Sequence, residues 1–192
     1  MAAKMIVRFL AMLLIAAAAG AVCPCYAQRI GSSPARPAPA GTTVQTIVEC
    51  GEGYMSHELY DAKITLLETV RGAQAWDLIK GTAASSDAPK AGYEYLLTRV
   101  RFEYQARGRP GDCVHELREV EFTALSSDGL AYEPASVLPP SPRLNGTLRS
   151  GDTIEGWVAF SVPKSEPSVL MSFGTKAGGA VVHGGDAWFQ LR

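Results

Sequence analysis

The stretch from Gly92 to Lys164 constrains the fold most. It opens on GYEYLLTRVRFEY, continues through EVEFTALSSDGLAYEP and ends on LRSGDTIEGWVAFSVPK. Within its first part, Leu96, Val100, Phe102 and Tyr104 fall on one side of an extended chain, and Arg99, Arg101 and Glu103 on the other. Successive strand side chains point to opposite faces, so this period fits a strand with one face on a core and one in water. Leu117 to Leu125 continues the pattern, with Val120, Phe122 and Ala124 expected inward and Glu119, Glu121 and Thr123 outward. In Thr153 to Val162 the inward set is Ile154, Val158, Phe160 and Val162. Asp128-Gly129 supplies the positive φ of a tight hairpin turn. Ser150-Gly151-Asp152 turns the chain into its next strand, and the proline-rich PASVLPPSP, Pro134 to Pro142, is expected to cross between sheets.

Further strands are predicted over Val44 to Val48, Ala62 to Val70, Val169 to Phe173 and Val181 to Leu191. In the second of these, Ile64 and Leu66 oppose Lys63, Thr65 and Leu67. Ala73 to Lys80 changes period: Ala75, Trp76 and Ile79 recur at helical spacing. A helix this short needs tertiary support, so Trp76 should dock on a sheet. The prediction is an all-β, immunoglobulin-like antiparallel β-sandwich of about seven or eight strands with one short helix.

Residues 1–27 read as a signal peptide. Lys4 and Arg8 precede an apolar run, and Cys25-Tyr26-Ala27 offers a small-large-small cleavage site ending at Ala27. The run is shorter than the roughly 20 residues of a membrane span, and no second one follows. Acylation of Cys23 is the other reading, but Val22 is not the small residue that a lipid-attachment site wants before its cysteine. Residues 28–43, with three prolines among Ala, Gly, Ser and Thr, are expected to be a flexible linker. Residues 44–192 then form the sandwich domain. The mature chain would carry a net charge of −3, too weak and mixed for a nucleic-acid footprint. The location expected is secreted or periplasmic.

Cleavage leaves two cysteines, Cys50 and Cys113. In an oxidising compartment they are expected to pair. The bridge would close a loop of 64 residues, worth about 4 kcal/mol by chain entropy.

The three blocks quoted above resemble the bacterial secreted immunoglobulin-like domain of unknown function 4352. Proteins of that kind often carry the label telomeric repeat-binding factor. RGAQAWDLIKG followed by APKAGYEY is similar to an arrangement in secreted relatives. The resemblance spans roughly residues 60–173 and implies an extracellular β-sandwich with no catalytic residues to transfer. The chain departs from the family pattern at QARGRPGDC, after the first long strand, and at Trp157.

No motif points to catalysis, and neither an enzyme nor a cofactor is expected. Cys113 and His115 would share a strand face, but the disulfide takes that thiol. Met55, His57 and Glu58, with Asp61 nearby, offer metal donors. A zinc or copper site needs three or four converging ligands, and one short run does not promise them. Arg99, Arg101 and Arg118 lie among Glu103, Glu119 and Glu121, a mix that reads as cross-strand ion pairs. By alternation Trp157 points away from the core, and Trp188 shares that ambiguity. An exposed Trp is a favoured interface anchor, whereas a covered one is only packing. The function expected is a secreted, non-enzymatic module that binds an extracellular or envelope protein or glycan. The alternative is a periplasmic protein that binds a small ligand or metal through Met55, His57 and Glu58.

Overall fold

Among the described residues the chain forms ten strands and one helix: β1 (Thr43–Cys50), β2 (Glu58–Arg71), α1 (Ala73–Thr82), β3 (Tyr93–Ala106), β4 (His115–Leu117), β5 (Phe122–Leu125), β6 (Gly146–Leu148), β7 (Thr153–Pro163), β8 (Val169–Phe173), β9 (Val182–His183) and β10 (Ala187–Leu191). The computed structural model describes residues 29–50, 58–82, 87–109, 113–174, 182–183 and 185–192. The signal segment with Cys23, and Met55 and His57, lie outside these residues. No described helix is long and apolar enough to cross a membrane.

A five-stranded antiparallel sheet, in the order β7-β3-β2-β1-β9, faces a three-stranded sheet, β10-β8-β5. β4 and β6 form a small separate ladder. The result is the predicted all-β sandwich with one short helix. The count exceeds seven or eight because β4, β6 and β9 are only two or three residues long. Such pieces are too short to show a period.

The core is made by the expected alternation. Ile64 and Leu66 of β2, Leu96, Val100 and Phe102 of β3, and Val158, Phe160 and Val162 of β7 face Val169, Met171 and Phe173 of β8 and Phe189 of β10. The outer face of β3 departs from the prediction near its start. Tyr95 and Leu97 are buried there with Ala75 and Ile79 of α1, and Trp76 packs beside them. The helix therefore seals half of a face that the arginines suggested was wet.

Three further expectations are corrected. First, Glu119–Glu121 is a 3-10 turn and not a strand. It rotates Val120 outward, to 51 % exposure, and Glu121 inward, to 1 %. The backbone N–H of Arg118 donates to Glu121 Oε1 at 2.9 Å, which favours the turn over extension.

Second, residues 29–42 are not a free linker. Ala38 is fully buried and forms a parallel bridge with Phe189 of β10. Its N–H donates to the Trp188 carbonyl at 2.8 Å, and its carbonyl accepts from Gln190 N–H at 2.9 Å. Pro37 and Pro39 keep this stretch extended and lack donors of their own, so it suits the edge of β10 as well as it suits a tether.

Third, the proline-rich stretch does not simply span from sheet to sheet. It runs as a strap along the free edge of β7, bridging Pro134 to Phe160 and Arg143 to Trp157. Gly156 lets the strap come close: an added Cβ would lie 2.4 Å from the Arg143 carbonyl carbon and the Leu144 nitrogen.

The Cys50–Cys113 disulfide is present, with Cα atoms 6.1 Å apart. It ties the end of β1 to the segment entering β4. Beside it, Tyr60 and Tyr104 stack at 4.4 Å, and His115 stacks on Tyr104 at 5.4 Å.

A tyrosine-floored groove beside the β7 strap

Tyr93, Tyr95 and Leu97 share the outer face of β3, and Ser161 of β7 is the register partner of Tyr95. The chain leaving α1 passes over this patch at residues 87–91, and the strap passes its other side at residues 131–136. Between them lies a concave groove of about 530 Å³ lined by Asp87, Lys90, Tyr93, Tyr95, Tyr132, Glu133, Ser136 and Ser161, among others.

Two of the tyrosine rings are held by their hydroxyls. Tyr95 donates to the Asp87 carbonyl at 3.0 Å and packs against Trp76 at 5.8 Å. Tyr132 donates to Glu166 Oε2 at 3.0 Å. Burial, with the Glu166 hydrogen bond behind it, pushes the Tyr132 hydroxyl up to about 12. Tyr93 remains 39 % exposed. Lys90 Nζ and Glu133 Oε2 face each other at 4.0 Å, with side chains 81 % and 91 % exposed. The groove thus has a rigid aromatic floor and a wet rim bearing both charge signs.

Two depressions adjoin it. One, about 270 Å³, opens between the sheets where Phe122 and Ala124 of β5 face Val158 and Phe160 of β7. Tyr132 and Pro134 are common to both. The other continues from Lys90 and Tyr93 to Trp76 and Lys164.

The residues singled out from sequence lie elsewhere. Trp157 is half-buried and packs in the cluster around Tyr95, Leu97 and Ile79. Its N–H donates to the Pro142 carbonyl at 2.8 Å, and its carbonyl accepts from Leu144 N–H at 3.1 Å. It is a packing residue beneath helix and strap and not a free anchor. Trp188 is 6 % exposed, grouped with Leu125 and Leu170 on the outer face of the smaller sheet. It too is not an accessible anchor.

Glu58 accepts from the Tyr60 hydroxyl at 2.6 Å, and Asp61 pairs with Arg107 at 3.0 Å. Among the described residues no group of three or more His, Cys, Asp and Glu side chains is placed to share a metal ion. The β3 arginines do form cross-strand pairs, but with Glu155 of β7: Arg101 at 2.6 Å and Arg99 at 3.2 Å. The Arg101 hydrogen bond holds the half-buried Glu155 carboxyl below its usual range. Glu119 pairs instead with Arg143, at 2.8 Å.

Sequence reasoning missed the groove. GYEY and AYEP were both visible, but nothing in one chain shows that residues 87–91 and 131–136 close on the same patch.

No protein-family model matches the chain, and no curated protein does. Among solved structures it is similar to the yjhA protein of Bacillus subtilis, at 11 % identity and a TM-score of 0.49, covering 81 % of this chain and 99 % of that one. It is similar to the ycdA protein of Bacillus subtilis, at 12 % identity and a TM-score of 0.47, over 68 % of this chain but only 36 % of that one. It is also similar to MPT63, a secreted protein of Mycobacterium tuberculosis, at 11 % identity and a TM-score of 0.42, over 77 % and 97 %. These likenesses bring no residue role and no activity with them.

Proposed function

We propose that this chain is an exported, non-enzymatic immunoglobulin-like module that binds another extracellular or envelope molecule through the groove beside β7. The observation that carries the reading is the groove's make-up: the exposed Tyr93 ring beside Tyr95 and Tyr132, whose hydroxyls are tied down by partly buried hydrogen bonds, under a rim of exposed Lys90 and Glu133. Rigid aromatic rings give contact area at little entropic cost, and mixed polar groups around them give specificity. The export segment read at residues 1–27 and the disulfide support an oxidising location outside the cytoplasm.

The test is cross-linked capture from the producer's envelope and culture fluid, with residues 28–192 as bait. Tyr93→Ala and Trp157→Ala baits run beside it, with Lys63→Ala as a control for exposed surface. A discrete captured molecule, lost with Tyr93→Ala and kept with Lys63→Ala, is the expected result. Equal capture by the Tyr93→Ala bait, or no capture by any bait, overturns the reading.

A further inference from the structure

The chemistry of the groove points to one class of ligand, and we propose that it binds a neutral or N-acetylated carbohydrate. This deepens the binding-module reading and rests on it.

A sugar ring offers two surfaces: a C–H face that is apolar and an equator of hydroxyls. The groove answers both. Tyr93, at 39 % exposure, presents an accessible aromatic face beside the tyrosine floor. When a C–H face packs on such a ring, both apolar surfaces leave water, which favours the contact. Tyr95, buried under α1, and half-buried Tyr132 spend their hydroxyls on Asp87 and Glu166, which fixes the floor beside which the exposed Tyr93 ring stands. Pre-organisation of this kind reduces the entropic cost of binding.

The rim matches the equator. Every sugar hydroxyl both donates and accepts, so a polyol site needs both kinds of group. Lys90 donates, Asp87 and Glu133 accept, and Ser136 and Ser161 do either. The Lys90–Glu133 pair spans the rim at 4.0 Å in nearly full solvent. A pair so exposed contributes close to nothing to stability, so hydroxyls can take over both partners at little cost.

Charge and shape exclude the neighbouring classes. One lysine among two carboxylates does not favour a polyanion such as a nucleic acid or sulfated glycan. A lipid tail would seek the apolar cleft at Phe122 and Val158. The volume of about 530 Å³ lies inside the range of small-ligand pockets, roughly 300 to 1,000 Å³.

The experiment uses residues 28–192 with tri-N-acetylchitotriose and cellotriose, read by saturation-transfer NMR and by titration of tryptophan fluorescence. Binding of at least one probe is expected, with Tyr93→Ala weakening it at least tenfold at unchanged Tm and Tyr93→Phe retaining it. Failure of both probes, or equal binding by Tyr93→Ala, overturns the inference. The envelope capture separates the two failures. A protein caught through Tyr93 while both sugars fail leaves the module reading standing and the carbohydrate assignment refuted. Loss of capture as well refutes both.

Discussion

Replacing Gly156 with alanine tests how the strap is held. The new Cβ would sit 2.4 Å from the Arg143 carbonyl carbon, 2.4 Å from the Leu144 nitrogen and 2.5 Å from the Arg143 oxygen. These are backbone atoms, so no side-chain rotation relieves the clash. Ordinary contact needs the strap to retreat by about an ångström, given carbon contacts of about 3.5 Å. It is held by hydrogen bonds of 2.8 Å, from Trp157 N–H to Pro142, and 3.1 Å, from Leu144 N–H to Trp157. Retreat lengthens both beyond useful range, at about 1 kcal/mol each. Overpacking adds about 1–3 kcal/mol, felt by Leu144, which is fully buried. Loss of glycine's freedom in the unfolded chain returns roughly 0.4–1 kcal/mol. The net is a loss of about 3 kcal/mol. For a domain of this size that lowers Tm by about 6–12 °C. Urea unfolding should show a lower midpoint at unchanged slope. Gly81 in α1 has nothing within 4 Å of its Cβ position, and Gly81→Ala should gain up to about 1 kcal/mol. A Gly156→Ala loss below about 0.5 kcal/mol, or one matching the Gly81→Ala change, would refute the reasoning.

Three other outcomes are expected. Replacing both Cys50 and Cys113 with serine should cost about 4 kcal/mol in urea unfolding, and a loss below about 1 kcal/mol would show that the 63-residue separation is not what the bridge constrains. Glu121→Ala removes the acceptor of Arg118 N–H and the carboxylate 3.2 Å from His115 Nε2; a loss of about 2–3 kcal/mol is expected, and an unchanged midpoint would mean that this buried pair stabilises nothing. Burial raises the hydroxyls of both Tyr104 and Tyr132, the latter to about 12. Above pH 10 the unfolded chain ionises these groups while the native protein does not, so their contribution is full below pH 10 and is lost as pH rises towards 12. Stability followed from pH 9 to 12 should fall, and less steeply in Tyr132→Phe; identical slopes would count against the shift.

The main strands and their inward faces were legible in sequence because each is long enough for a two-residue period to repeat. β3, β7 and β8 bury the residues that alternation selects. The helix was legible through Ala75, Trp76 and Ile79, and the disulfide through compartment and cysteine count. Glu121 and Val120 were misread because a single 3-10 turn reverses facing, and its cause is a side-chain acceptor bond that alternation does not encode. Trp157 and Trp188 could be placed on outer faces but not as covered: the cover comes from α1, the strap and neighbouring outer-face residues far away in sequence. The groove was illegible for the same reason, since its floor and its rim come from segments some 40 residues apart that only the strap brings together.

The bridge between Ala38 and Phe189 joins residues about 150 positions apart in a chain of 192. Pairings of such high contact order form late and slowly. The edge of the smaller sheet, and the buried place that Ala38 occupies, cannot be completed until the last strand is available. The segment around Ala38 must therefore wait at this edge, unpaired, until β10 has joined β8.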